Sequence, residues 1–180
     1  MPRSLALAAI VVLASAGAAA AVDYRAAVIR VDAPGPMPIS RLELPPGDLG
    51  FAGAALGTAD NATTGSFMGQ NFVTDTVVAT PETVEAEMQK VLDAGVWWIV
   101  TLADEDTTVR LADQAGDRAV VVNAMATGDR LRGEDCRANL LHVVPSDAML
   151  TDALAQFLVW KRWNQWLLIE GSHPEDQARA

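Results

Sequence analysis

Residues Gly53–Gly65, GAALGTADNATTG, decide how this chain is read. Gly53, Ala54, Ala55, Leu56 and Ala59 spell a small-residue helix, expected over about 48–61, that stops at Asp60-Asn61 and turns at Thr64-Gly65. Small side chains let a helix lie close on a sheet, and glycine supplies the backbone freedom to turn. The stretch lies between an apolar run at Tyr24–Val31 and a regular alternation of apolar runs with amphipathic helices. A helix placed this way covers the first strand of an open α/β sheet, next to the sheet's ligand cleft.

The flanking segments extend the pattern. Tyr24–Val31 (YRAAVIRV) reads as the first strand, and the proline-rich stretch Asp32–Pro46 reads as loop. Phe72–Ala79 reads as a second strand, β-branched and partly alternating. Thr80-Pro81 reads as a helix start, and Val84, Met88, Val91 and Leu92 form one apolar stripe that ends at Gly95. Val96–Leu102 (VWWIVTL) is a continuous apolar run, as expected for a strand covered on both faces, with Trp97 and Trp98 both packed under helices. A helix follows over about 104–115, then strands at Ala119–Ala126 and Leu140–Val144, a helix opened by Pro145-Ser146-Asp147, and a last strand at Trp163–Glu170. Strands alternating with helices at this spacing predict a parallel open sheet flanked by helices on both sides.

The first residues carry Arg3, an unbroken apolar stretch from Leu5 to Val22, and an alanine tract at Ala18–Ala21. That is the layout of an export signal, read here as residues 1–21, and it places the mature chain outside the cytoplasm with no direct membrane insertion after cleavage. Without Arg3, 12 Lys+Arg stand against 23 Asp+Glu, a net charge of about −11. Only Lys90 and Lys161 are lysines. No basic patch can be assembled, so nucleic acid is excluded as a partner. The single cysteine, Cys136, has no partner for an internal disulfide and is read as a buried or idle thiol, and His142 as a packed mid-strand residue.

The small-residue helix with Asp60, Asn61, Thr64 and Gly65 and the Thr80–Leu102 helix–strand unit carry a resemblance, as do the loop after the fourth strand and Pro145-Ser146 leading into Trp166–Ile169. The chain resembles the N-terminal lobe of a type 1 periplasmic solute-binding protein, the branched-chain amino-acid receptor class of ABC importers. Cys136-Arg137-Ala138-Asn139-Leu140-Leu141-His142 followed by Pro145-Ser146 resembles more narrowly the subgroup associated with PQQ-dependent alcohol oxidation systems. The resemblance implies a solute-binding lobe at 22–162 and the start of a truncated second lobe at 163–180. It implies a periplasmic location, a small-molecule solute and a membrane permease as partners, with no cofactor and no catalytic or metal-ligating residues. Trp160, Trp163 and Trp166 would then pack between lobes.

In open α/β sheets ligands lie beyond the carboxyl ends of the strands. The resemblance places the ligand contacts in the loops after the third and fourth strands, at Leu102, Ala103, Asp104, Thr107, Ala126 and Thr127, with Thr108 a further candidate. Ala103-Asp104-Glu105-Asp106 stands where amino-acid receptors carry small hydroxyl residues. Two readings stay open at that point. Three acids would oppose a ligand carboxylate and favour a neutral or cationic solute, or they merely cap the helix and favour its dipole. Competing functions are a non-catalytic accessory protein of a quinoprotein system and an α/β hydrolase-like enzyme. Against the latter, G-x-S-x-G is absent and neither histidine follows an evident acid at a strand end; against a nucleotide enzyme, G-x-G-x-x-G and the P-loop pattern are both absent.

Overall fold

The computed structural model describes residues 21–35, 38–172 and 176–177. The export-signal reading at 1–21 therefore falls almost wholly outside the described residues. Five strands form one sheet: β1 (Val22–Val31), β2 (Gln70–Ala79), β3 (Trp98–Leu102), β4 (Val120–Asn123) and β5 (Leu140–His142). Four α-helices connect and follow them: α1 (Phe51–Met68), α2 (Val84–Asp93), α3 (Glu105–Ala115) and α4 (Asp147–Lys161). The strand order is β2-β1-β3-β4-β5 and every pairing is parallel, as the alternation of runs predicts.

The side-chain alternation of β1 assigns the two faces. Ala27, Ile29 and Val31 point to the face covered by α2 and α3, where they meet Val84, Met88, Leu111, Ala112 and Ala115. Ile99 and Val121 continue this core, each without measurable exposure. Burying side chains of this size contributes roughly 1.5–3 kcal/mol apiece. The apolar stripe read in 84–92 is the face α2 buries, and Gly95 (φ 75°) turns the chain after it. The helix itself begins at Val84, because Pro81–Thr83 form a turn in which the Thr83 hydroxyl accepts from the Thr80 amide at 2.9 Å.

The opposite face is covered by α1, and there the structure departs from the sequence reading. The helix does not stop at Asp60-Asn61. It runs on to Met68 and is capped by Gly69 in the left-handed region (φ 67°). The polar residues are absorbed because their side chains bond carbonyls of the preceding turn: Thr58 to Ala54 (2.8 Å), Asn61 to Gly57 (2.7 Å) and Thr63 to Ala59 (3.0 Å). Gly65 is then not a turn residue but the point of closest approach to β2. A Cβ there would lie 2.6 Å from Phe72 Cε2 and 2.9 Å from the Gln70 carbonyl oxygen.

Cover on the α1 face is incomplete. Trp97 is 49% and Trp98 38% exposed, so the expectation that both pack under helices is corrected; the two rings lie against each other at 5.2 Å. The apolar run at 96–102 is thus buried on one face and half open on the other. Residues 163–170 form no strand and are exposed, because no neighbouring strand among the described residues offers them a ladder. The α4 helix, capped by the Ser146 hydroxyl, buries none of its 15 residues. Cys136 is exposed rather than buried.

Gly65→Ala is expected to lower stability by about 1–3 kcal/mol through overpacking against Phe72 and the Gln70 carbonyl. Gly53→Ala, whose new methyl meets open space in the same helix, is expected to raise it by roughly 0.5–1 kcal/mol. Urea midpoints of the two variants check both signs.

Candidate functional site

A strand order of β2-β1-β3-β4-β5 reverses the direction of winding at β1, so the topological switch lies between β1 and β3. In open parallel sheets the crevice beyond the carboxyl ends of the strands at such a switch is where ligands sit. Here Arg30 pairs in register with Leu102, which brings the ends of β1 and β3 side by side. Arg30 is held on all sides. Its Nε donates to Asp32 at 2.8 Å, one terminal nitrogen donates to the carbonyls of Gly47 (2.9 Å) and Leu49 (3.3 Å), and the guanidinium stacks 4.8 Å from the Phe51 ring centre. It ties the start of α1 to the switch. Its isolated charge at the end of an apolar strand was the available signal, and the sequence reading passed over it.

The β3–α3 turn carries four of the candidate ligand residues. Leu102 and Ala103 are 8% and 1% exposed. Leu102 packs against Gly50, whose positive φ of 79° and missing side chain admit it; a Cβ there would lie 2.6 Å from Leu102 Cδ2. Asp104 is the N-cap of α3: its Oδ1 accepts from the Thr107 amide at 2.7 Å and its Oδ2 from the Thr107 hydroxyl at 3.0 Å. The same hydroxyl accepts from Arg110 at 3.2 Å. Thr107 and Thr108 are both buried. Thr108 sits with Leu111, Ala112 and Ala115 among the buried residues of α3.

Arg130 joins this turn to the segment after β4. It donates to Glu105 at 2.7 Å and also to Asp106 and Asp135, three carboxylates on three nitrogens. These bonds hold its guanidinium protonated beyond even the usual arginine range. Glu105 lies directly over Gly128, where any Cβ would collide with its carboxylate. Helix capping by the acids, one of the two readings the sequence left open, is therefore real for Asp104, while Glu105 and Asp106 act as partners of Arg130.

The end of β4 is shaped by Asn123, which is fully buried. Its Oδ1 accepts from the amides of Met125 (3.1 Å) and Ala126 (2.8 Å), and its Nδ2 donates to the Ala126 carbonyl at 2.7 Å. Ala126 is 6% exposed and Thr127 half-buried. The Thr127 carbonyl accepts from the Asp147 amide at 2.9 Å, and Asp129 accepts from the Ala148 amide at 3.1 Å, so this loop anchors the start of α4.

The six candidate residues thus fall on two adjacent loops, linked by the Ala124 amide bonding the Thr101 carbonyl at 3.0 Å and by Arg130. Asp104 is exposed and Thr127 half-buried. Leu102, Ala103, Thr107 and Ala126 are buried, and the Thr107 amide and both backbone groups of Ala126 are already bonded to Asp104 and Asn123. Two hollows, of about 310 and 340 Å³, lie elsewhere, beneath and beside α1. The first is walled by Tyr24, Phe72, Trp97 and Trp98, and neither is lined by any of the six. Among the described residues, no group of three or more His, Cys, Asp or Glu is arranged to hold a metal, and no helix is long and apolar enough to cross a membrane.

This geometry has relatives among solved structures. Two structures of an ABC transporter substrate-binding protein from Desulfitobacterium hafniense, one of them in complex with Leu, superpose with TM-scores of 0.60 and 0.61 at 17% sequence identity. The fold is that of one lobe of a type 1 periplasmic binding protein. The match covers 77% of this chain and 39% of theirs, so the chain spans well under half the length of those proteins. No protein-family profile and no curated protein matches.

His142 sits at the edge of this region, half-buried on β5, with the Asn123 amide nitrogen 3.1 Å from its Nδ1. That amide can donate only while Nδ1 carries no proton. Burial, then the nearby positive Arg132, lower the imidazole pKa below its ordinary value. A lowered pKa means that the folded chain binds the proton less well than the unfolded one. The stabilisation from this ring is complete above about pH 6.5 and is lost as pH falls from there. Stability measured by urea unfolding is expected to decline between pH 7 and pH 5, and more steeply in the parent chain than in His142→Gln.

Proposed function

We propose that the chain is the extracytoplasmic solute-binding component of an ABC-type importer, holding a small solute at the carboxyl ends of β1, β3 and β4. The observation that carries this reading is the β2-β1-β3-β4-β5 parallel sheet with its switch at β1/β3, in a fold shared with a substrate-binding protein solved with Leu. Leu102, Ala103, Asp104, Thr107, Ala126 and Thr127 are the proposed contacts, with Arg30 and Arg130 fixing the loops that carry them. The protein works without chemistry of its own: it binds in the periplasm, after loss of residues 1–21, and delivers to a membrane permease. Cys136–His142 and Pro145-Ser146 support a link to quinoprotein alcohol oxidation systems.

Closure over the solute needs a second lobe, which the segment beginning at 163 would enter. The uncovered α4 helix and the exposed Trp163, Trp166 and Leu167 support this, since an apolar surface of that extent requires a neighbour. The same surface supports a second reading, a lobe that docks on another protein as an accessory subunit. A panel of small solutes screened against thermal unfolding of residues 22–180, alone and joined to the second lobe of a substrate-binding protein, separates the two. At about 100-fold excess over its dissociation constant, a true solute is expected to raise the melting temperature by about 5–10 °C. Hydrolysis of ester or phosphoester probes that disappears in His142→Ala would overturn the binding reading.

A further inference from the structure

A parallel sheet is ordinarily covered on both faces. Here half of one face is bare. Ile99, Val121 and Leu140 turn to the core under α2 and α3, so by alternation Trp98, Val100, Val122 and Leu141 turn to the other side. On that side α1 lies over β1 and β2, where the Thr58 and Thr74 hydroxyls bond at 2.7 Å and Gly65 seats on Phe72. Among the described residues, no α-helix closes over β3, β4 and β5 there, and α4 buries none of its own residues. Leu141 is 48% exposed and Val143, two residues on, 67%.

Three features of this patch select its occupant. The first is charge. The chain carries a net −10, so most of its surface repels a second copy. The side chains of the patch carry no charge, and Arg25, which lines the hollow beside it, is already paired with Asp75 at 2.7 Å. Two copies can bring this face together without like charges meeting. The second is shape. The half-exposed rings of Trp97 and Trp98 lie against each other and form one bank of the hollow of about 310 Å³. A bank beside a hollow is self-complementary, because a two-fold axis between them sets each copy's bank over the other's hollow. The third is area. Each indole has roughly half of the 150–250 Å² of an aromatic side chain still to bury. With the aliphatic side chains, each copy contributes on the order of 500 Å², so the pair reaches the lower limit of a specific interface.

We propose that the bare half of the sheet is an isologous dimer interface, covered by the same face of a second copy of this chain. The contact is separate from the loops at the strand ends and from α4. It therefore goes beyond the solute-binding reading and stands or falls without it.

Sedimentation equilibrium of the full chain, purified as the expressing cell delivers it, tests this directly. Reducing agent is kept throughout, because the exposed Cys136 is otherwise free to link two copies. Between about 1 and 300 µM the mean mass is expected to climb from one chain towards two and to stop there. Leu141→Glu and Val143→Glu place a carboxylate in the face at positions already open to water. Each is expected to weaken the dimer at least about 10-fold while leaving the urea midpoint nearly unchanged. Val159→Glu and Trp160→Glu put the same charge on exposed positions of α4 and are expected to leave the association as it was. A chain that stays monomeric at about 300 µM overturns the proposal, whether α4 folds back over the sheet or the face stays in water. A dimer that the two sheet variants leave intact overturns it too, as does one that the α4 variants abolish or growth that runs on past two copies.

Discussion

Everything in this molecule is hung on β1. It is bonded along all ten of its residues to β2 on one side and along Ala26–Arg30 to β3 on the other. Its odd-numbered side chains from Ala27 to Val31 seed the core, and its even-numbered ones face α1. The reversal of winding at this strand creates the crevice, and the register that sets Arg30 beside Leu102 brings the candidate loops to it. A slip of one residue would exchange the core set for the α1-facing set, so the hydrophobic pattern enforces the register strongly.

The two faces of the sheet are built on different terms. Under α2 and α3 the packing is dense, with Met88, Ile99 and Leu111 fully enclosed. Under α1 it is sparse, because a helix of Gly, Ala and Thr covers the sheet thinly and leaves hollows beside Trp97 and Trp98. The site loops leave the sheet above this unequal sandwich, and polar clamps hold them in place of apolar mass. Asn123 shapes one loop, Asp104 the other, and Arg130 fastens them together. Such clamps fix geometry in loops that have little core of their own.

The alternation of apolar runs with helical stripes was enough to read five parallel strands and the helices between them, because period and length carry that information locally. The reading failed where the outcome depended on partners. Trp163–Glu170 has the composition of a strand, yet no strand lies beside it. Asp60, Asn61 and Thr64 look like helix breakers, yet their neighbourhood lets Asn61 bond back to Gly57 while Gly65 seats on Phe72. At the site, Asp104 before Thr107 is a capping pattern visible in four residues. The Arg130 cluster was not legible, since its carboxylates come from 24 and 25 positions earlier and from a separate turn. Only the fold brings those distances to a few ångströms.

The manner in which α4 is mounted gives it a mechanical character. Its first turn is pinned to the loop after β4 through Thr127, Asp129 and Ser146, while none of its residues is buried and its far end meets only Trp163 of the segment that follows, through Phe157 and the Leu158 carbonyl. It is a lever with its fulcrum at the crevice. Fifteen residues make an arm of roughly 22 Å, so a swing of about 10° carries its tip almost 4 Å. Any body gripping Phe157 and Trp160 at the far end would therefore pull directly on the strand-end loop where the solute is expected to rest.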